Sequence, residues 1–192
     1  MEVKLSEEGE VLVKSPGNML GYYKEPEMTA ECYTEDGFFR TGDRGERDGE
    51  GRLKITGRVK ELFKTSKGKY VAPAPIENML NAHDDIELSC VTGSGHPQPH
   101  ALVMLSEALR AKQTRSAVRL EMSATLERLR ESINARVDPH ETLAFIAVVS
   151  DEWTVDNGCL TPTLKLKRPV IEDRYGSKAD AWYTSRQKVI WE

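Results

Sequence analysis

The sequence is poor in cysteine and histidine, and neither residue type is grouped. Its three cysteines stand far apart and never in a CxxC pair, at Cys32, Cys90 and Cys159. Its four histidines are scattered in the same way, at His83, His96, His100 and His140. Disulfide frameworks need paired cysteines, and zinc sites need closely spaced ligands. The pattern favours a reducing compartment and predicts no metal site in this chain.

The sequence also lacks a long apolar run and an excess of positive charge. Of its 192 residues, 39% are hydrophobic and 30% are charged, with a formal net charge of −4. A membrane-spanning helix needs about 20 mainly apolar residues, and a secretory leader needs a basic start followed by an apolar stretch. Neither feature is found, and a slightly acidic chain has no general attraction for nucleic acid. We therefore expect a soluble cytoplasmic protein without a nucleic-acid partner, which binds anions only through a local basic patch.

The first third of the chain consists of short β-strand patterns separated by turns. The strand patterns occur at 9–17, 36–43 and 47–57, and a short helix is expected after Pro26. The segment DGEG at 48–51 predicts a hairpin turn, because glycine accepts the positive φ that such turns need. About three to five strands would expose sheet edges that need partners. We expect this part to be β-rich but incomplete.

The rest of the chain has an α+β pattern. A helix start is predicted at Pro75, where a missing N–H costs least. Strands are predicted over 86–93, 101–106 and 143–150. Between 116 and 137, apolar residues recur at steps of three and four, which predicts an amphipathic helix. We expect about three strands and two or three helices that fold on their own.

The segment FFRTGDRGE places Asp43 directly after Gly42, at the predicted end of a strand. A carboxylate projecting from a turn can accept two hydrogen bonds from a vicinal diol such as a ribose, each worth about 1.5–3 kcal/mol. An aspartate in a turn more commonly caps its own backbone. For this motif alone, both explanations stay open.

A basic segment follows at 56–73, with the sequence TGRVKELFKTSKGKYVAP. Arg58 can bind a hydroxyl or a phosphate with its planar fork. The lysines Lys64, Lys67 and Lys69 surround Gly68 and can meet an anion. A surface hairpin with solvated lysines explains the same residues equally well.

The segment LTPTLKLKR at 160–168 contains a third basic cluster. One lysine about 4 Å from a phosphate or carboxylate is worth about 4 kcal/mol at an effective dielectric of about 20, so Lys165 could stabilise developing charge. The alternation predicts a strand with Lys165 and Lys167 on one face. Taken alone, an edge strand protected by lysines is the better explanation.

Read in order, these segments resemble the carboxyl-terminal motifs of the adenylate-forming enzymes, specifically the long-chain fatty acyl-CoA synthetases. The motifs are GEVLVKSPGNMLGYYKEPEMT, FFRTGD, GRVKELFKTSKGKYVAPAPIE and LTPTLKLKR. The resemblance covers nearly the whole chain. It implies an α+β fold in which 60–192 is the complete mobile C-terminal domain, with a sheet of about three strands and helices. Residues 1–59 would be the β-rich end of a large AMP-binding N-terminal domain.

The resemblance implies a two-step reaction and assigns residues to its first step. A fatty acid carboxylate attacks ATP to give acyl-AMP and pyrophosphate, and coenzyme A then displaces AMP. Asp43 would hold the ribose hydroxyls, and Arg58 would also contact the ribose. Lys165 would be the catalytic lysine that bridges the acyl carboxylate and the nucleotide. The family's usual glycine before that lysine is Leu164 here.

The same resemblance assigns residues to the change between the two steps. Lys60 would lie at the hinge about which the small domain rotates. Lys67 and Gly68 would approach coenzyme A in the thioester-forming orientation. The loop between Arg58 and Gly68 is one residue longer than in coumarate-ligase-like relatives, so Lys64 receives no such role.

The family's Ser/Thr/Gly-rich phosphate loop does not occur in the 192 residues. The large domain carries that loop, the acyl pocket and the glutamate that helps bind Mg²⁺. We therefore expect the chain alone to form no acyl-AMP and to need a separate or preceding N-terminal domain. Two alternatives stay open, namely a noncatalytic interaction or nucleotide-binding module and an acyl-adenylating enzyme whose acceptor is a carrier protein. Acyl length, oligomeric state and peripheral membrane association are left open.

Overall fold

The computed structural model describes residues 1–192, which divide into two compact units, Met1–Leu62 and Phe63–Glu192. The boundary expected at residues 59 and 60 falls within a 3-10 turn, Val59–Glu61, just before the second unit begins. No helix combines the length with the apolar composition that a membrane span requires.

The first unit is a four-stranded antiparallel sheet in the order β1-β2-β3-β4. Its elements are β1 (Glu2–Leu5), β2 (Glu10–Lys14), α1 (Pro26–Glu31), β3 (Phe39–Arg47) and β4 (Leu53–Arg58). The expected helix after Pro26 is confirmed by α1, which begins at Pro26. Proline is well tolerated there because an N–H group in the first helical turn makes no hydrogen bond within the helix. The turn expected at 48–51 is also confirmed, since it joins β3 to β4.

The second unit is built on a four-stranded mixed sheet in the order β10-β9-β8-β7, with a separate hairpin of β5 and β6. Its elements are β5 (Phe63–Lys64), β6 (Tyr70–Val71), α2 (Pro73–Asn81), β7 (Ile86–Thr92), β8 (His100–Leu105), α3 (Glu107–Arg110), α4 (Ser116–Asn134), β9 (Ile146–Val148), α5 (Arg168–Ser185) and β10 (Val189–Trp191). Strands β7 and β8 are antiparallel, whereas β9 pairs in parallel with both β8 and β10.

Two apolar clusters cover the faces of this sheet. Alternate residues of β8 belong to different clusters, since Ala101, Val103 and Leu105 pack with α2 and α4. Leu102 and Met104 pack instead with α5. All six residues of β8 are buried, as expected for a central strand with helices on both faces. The α+β fold class is confirmed.

Three details differ from the expectations. Helix α2 begins at Pro73 rather than Pro75, because both prolines lie in the first helical turn, where the N–H groups have no intrahelical acceptor. The sheet has four strands rather than three, because β10 adds in parallel to β9. Helix α5 was not anticipated. Its buried residues Ile171, Tyr175, Ala179 and Trp182 do recur at steps of four and three, but they are mixed in type and surround Gly176.

Candidate functional site

Asp43 and Arg58 meet in the first unit as an ion pair across the β3–β4 ladder. The two residues are register partners, and Arg58 Nε lies 2.9 Å from Asp43 Oδ1. The prediction that Asp43 ends a strand is wrong, because β3 continues to Arg47 through a register shift after Arg44. Gly42 precedes the pair at a φ of +72°, which favours glycine.

The pair leaves groups free for a ligand. Arg58 is 56% exposed and Asp43 34% exposed in their side chains. The aspartate uses Oδ1 for the ion pair, and Oδ2 has no partner within the chain. Arg58 Nη1 donates to the carbonyl of Thr41 at 3.3 Å, which orients the guanidinium. One free carboxylate oxygen beside a guanidinium fits a ribose hydroxyl, which both donates and accepts hydrogen bonds.

Two side chains that the motifs did not single out hold this segment in place. Glu10 Oε1 accepts the N–H of Gly42 at 3.0 Å, and Glu10 Oε2 pairs with Arg40 at 3.1 Å. Thr41 Oγ1 accepts the N–H of Asp43 at 3.1 Å. The glutamate is buried, and its partners lie about 30 residues away in sequence. A local sequence pattern cannot predict a contact between residues so far apart, so only the fold shows that Glu10 holds this segment.

Lys165 lies in a hairpin loop and not in a strand, so the edge-strand explanation is wrong. The flanking residues Leu160 and Leu166 form an isolated antiparallel bridge. Between them, Thr161 N–H donates to the carbonyl of Lys165 at 2.8 Å, and Leu164 N–H donates to the carbonyl of Thr161 at 2.8 Å. Leu164 has a φ of +59°, which turns the chain out of the extended conformation that a strand needs.

The same five-residue loop occurs five times in this protein. The loops are Ser6–Glu10, Thr34–Phe38, Asp48–Arg52, Thr65–Lys69 and Thr161–Lys165. In each, the first residue's N–H donates to the fifth carbonyl, and the fourth N–H donates to the first carbonyl. The first side chain also accepts the fifth N–H. The fourth residue always has a positive φ, and it is glycine in every loop except the one that carries Lys165.

The buried pair of Arg168 and Glu77 anchors the base of the Lys165 loop. Arg168 is the first residue of α5, and its Nη2 lies 2.8 Å from Glu77 Oε1. Arg168 Nη1 donates to the carbonyl of Val91 at 2.8 Å, and Val91 N–H donates to Glu77 Oε1 at 2.7 Å. These bonds join α5, α2 and β7. The side chains of Lys165 and Lys167 are exposed and have no ion-pair or hydrogen-bond partner within the chain, so their charges remain available.

Lys67 and Gly68 lie in the Thr65–Lys69 loop between β5 and β6, and both are exposed. The loop is fixed to the connection between β7 and β8, because Ser66 N–H donates to His96 O at 2.9 Å and Gly95 N–H donates to Lys64 O at 3.0 Å. Lys60 is exposed in the 3-10 turn at the end of the first unit. The predicted residues thus occupy separate places: the Asp43–Arg58 pair and Lys60 in the first unit, and the two lysine-bearing loops in the second.

The chain contains no group of three or more His, Cys, Asp or Glu side chains that could hold a metal ion. His100 is the histidine with the most unusual environment. It is buried against Phe145, with ring centroids 4.8 Å apart, and its Nδ1 lies 3.0 Å from Tyr183 Oη. Burial, with a smaller contribution from the nearby His96, lowers the pKa of His100 to about 3.

Comparison with known proteins gives a consistent result. The family model described as the AMP-binding enzyme C-terminal domain matches residues 61–187. The long-chain-fatty-acid–CoA ligase FadD15 of Mycobacterium tuberculosis is 33% identical over 94% of this chain and 32% of its own length. Human long-chain-fatty-acid–CoA ligase 1 is 32% identical over 93% of the chain and 27% of its own length. The chain therefore spans less than a third of the length of these relatives.

Solved structures of adenylation domains share the fold. The adenylation domain of a carboxylate reductase from Mycobacterium chelonae superposes with a TM-score of 0.80 and 28% identity, over 96% of this chain and 31% of that one. The A-PCP didomain of carboxylic acid reductase from Segniliparus rugosus, in complex with AMP, gives a TM-score of 0.78 and 27% identity over 96% of this chain and 28% of that one.

Proposed function

Because the chain belongs to the AMP-binding enzyme C-terminal domain family, we propose that it is the C-terminal part of a long-chain fatty acid–CoA ligase. The observation that carries the proposal is the Lys165 loop, where an unpaired, exposed ammonium stands on a backbone loop anchored by a buried ion pair. In the proposed reaction a carboxylate oxygen of the fatty acid attacks the α-phosphorus of ATP, and pyrophosphate leaves. The thiolate of coenzyme A then attacks the acyl carbonyl, and AMP leaves.

Lys165 is the proposed adenylation residue. Arg168 is paired with Glu77 and Lys167 stands outside the loop as the residue before α5, so Lys165 is the cation within the loop that can meet an anionic ligand. A positioned ammonium stabilises the negative charge that builds between carboxylate and phosphate in the transition state. The surrounding bonds hold the backbone of Lys165 while leaving its side chain free to reach an active site.

Asp43 and Arg58 are the proposed ribose contacts. The free Oδ2 of Asp43 would accept a ribose hydroxyl, and the exposed guanidinium would donate to a ribose oxygen. The Mg²⁺ ion and the acyl chain are assigned to the large AMP-binding domain, because the sequence has no phosphate-loop motif.

Lys60 is the proposed hinge, and Lys67 with Gly68 the proposed contact to coenzyme A. Lys60 stands next to the boundary between the two compact units, where a hinge residue would lie. Gly68 has a φ of +78° and no side chain, which allows a thioester-forming ligand to approach the backbone closely.

A second acceptor is favoured by one observation. The solved neighbours with TM-scores of 0.80 and 0.78 are carboxylate reductase adenylation domains, one of them in an A-PCP didomain. A carrier-protein thiol could therefore take the place of coenzyme A. Supplying each acceptor in turn to the preformed acyl-AMP complex, and measuring AMP release, decides between them.

A chimera tests the proposed function. This chain replaces the matching C-terminal third of FadD15, and fatty-acid-dependent ATP–pyrophosphate exchange is measured. We expect exchange by the chimera and a loss on the order of 100-fold in Lys165→Ala, the size expected for one stabilising group in a transition state. Lys167→Ala is the matched control and is expected to stay within about threefold, since a lysine at the loop rim is screened by solvent. A folded chimera without exchange would contradict the proposal and favour a noncatalytic module.

The isolated 192-residue chain is expected to show no fatty-acid-dependent exchange. The reason is that its sequence supplies no phosphate loop to bind the β- and γ-phosphates of ATP. The measurement is the same exchange assay with the purified chain at the chimera's concentration. Exchange above the level of a Lys165→Ala chain would show that the sequence contains a phosphate site of a different kind.

A further inference from the structure

Leu164 carries backbone strain that the other four loops of the same geometry avoid. Its counterparts are Gly9, Gly37, Gly51 and Gly68, with φ between +78° and +82°. A leucine in this left-handed region is unfavourable because its β-carbon crowds the backbone carbonyl. Burial does not offset the strain, since Leu164 is 67% exposed and belongs to neither apolar cluster.

The strain falls at the residue directly before Lys165. The lysine side chain has no hydrogen-bond or ion-pair partner within the chain, so the backbone on its N-terminal side sets where the side chain begins. A glycine at 164 would widen the range of conformations open to that backbone. A β-carbon confines the same residue to a narrow well, and the bond from Lys165 N–H to Thr161 Oγ1 at 3.0 Å then fixes the next peptide.

We propose that Leu164 is a positioning residue whose β-carbon narrows the backbone of the loop and thereby aims Lys165 at the adenylation site. The proposal rests on the proposed function of Lys165. It assigns the effect to the β-carbon rather than to the rest of the side chain, because the isobutyl group is largely exposed and joins neither apolar cluster. The strained backbone at Leu164 costs stability, and the same restriction limits the directions that the Lys165 side chain can take.

The test measures stability and rate on matched variants. In the 192-residue chain, Leu164→Gly is expected to raise the melting temperature by about 2–4 °C, since it removes the strain. In the chimera, the same variant is expected to lower kcat of pyrophosphate exchange about fivefold, with the KM for ATP unchanged. The reason is that a more flexible backbone spends a smaller fraction of time in the conformation that places Lys165 for the reaction. Leu164→Ala keeps the β-carbon and is expected to retain kcat within about twofold. A gain in stability accompanied by a loss of kcat is not produced by a merely structural defect.

Three results would overturn the inference. The first is an unchanged kcat in Leu164→Gly. The second is a loss in Leu164→Ala as large as in Leu164→Gly, which would assign the role to the isobutyl group. The third comes from the reciprocal variant Gly68→Leu, which should lower the melting temperature by a similar amount, so its failure to do so would remove the strain argument. A folded chimera without any exchange overturns the proposed function and this inference together, whereas the three results above leave the proposed function standing.

Discussion

Glu77→Ala is expected to lower the free energy of unfolding by about 3–5 kcal/mol, because it breaks a buried ion pair with Arg168. The two side chains are only 11% and 14% exposed, so water cannot replace the lost partner. The variant also removes the acceptor of the Val91 N–H. Urea unfolding of the 192-residue chain measures the change. A loss below about 1 kcal/mol, the usual size for an exposed pair, would contradict the assignment of a buried network.

The double variant Glu77→Leu with Arg168→Met is the matched control. Replacing a buried ion pair by apolar groups of similar volume is commonly close to neutral, since the desolvation cost disappears with the charges. We expect the double variant to recover the part of the loss that comes from the buried charge, but not the part that comes from the unpaired N–H of Val91. If both variants are equally unstable, the loss comes from packing and from the Val91 N–H and not from the buried charge.

The protein is expected to lose about 2 kcal/mol of stability between pH 6.5 and pH 4.5 through His100 alone. Burial lowers the folded-state pKa of His100 to about 3 from an ordinary value of 6.5. Below pH 6.5 the unfolded chain binds a proton that the folded chain does not, so stability falls as the pH falls. Above pH 6.5 both states are neutral and the contribution vanishes. Urea unfolding at several pH values gives the slope.

His100→Phe is expected to reduce that slope by about one proton, which corresponds to about 1.4 kcal/mol per pH unit. The phenylalanine ring keeps the stacking on Phe145 but cannot be protonated. If His100→Phe does not fold, His100→Gln tests the same point. A slope equal to that of the unmodified protein would disprove the role of His100.

The elements with strong local signals were predictable. The run of apolar residues in β8 and the three- and four-residue steps of α4 identify their type, because a buried strand and an amphipathic helix each leave a short-range pattern. Helix α5 left a weaker pattern, since its buried face mixes Ile171, Tyr175, Ala179 and Trp182. Strand β10 is three residues long and exists as a strand only through its pairing with β9.

The candidate site also contains residues that the sequence predicts and residues that only the structure shows. Motif order singled out Asp43, Arg58 and Lys165, and the structure pairs the first two directly. The partners that hold these residues were not visible. Glu10 bonds to Gly42 across 32 residues, and Arg168 bonds to Glu77 across 91. The strand predicted around Lys165 is wrong because alternating Leu and Lys residues are typical of an extended strand. Leucine rarely adopts a positive φ, so its presence at position 164 does not indicate the turn that the structure contains.

The sequence by itself determined the family, the α+β class and the residues that carry the proposed chemistry. Motifs and hydrophobic periodicity depend on residues that are near one another in the chain, so they can be recognised without the fold. Tertiary structure alone decided how those residues are held. The ion pair between Arg168 and Glu77, the buried neutral His100 and the recurrence of one loop geometry with a single strained leucine all depend on contacts between distant segments. Contacts between distant segments determine which charged or titratable side chains are buried and which backbone positions are strained. The residue type at a single position does not determine either property.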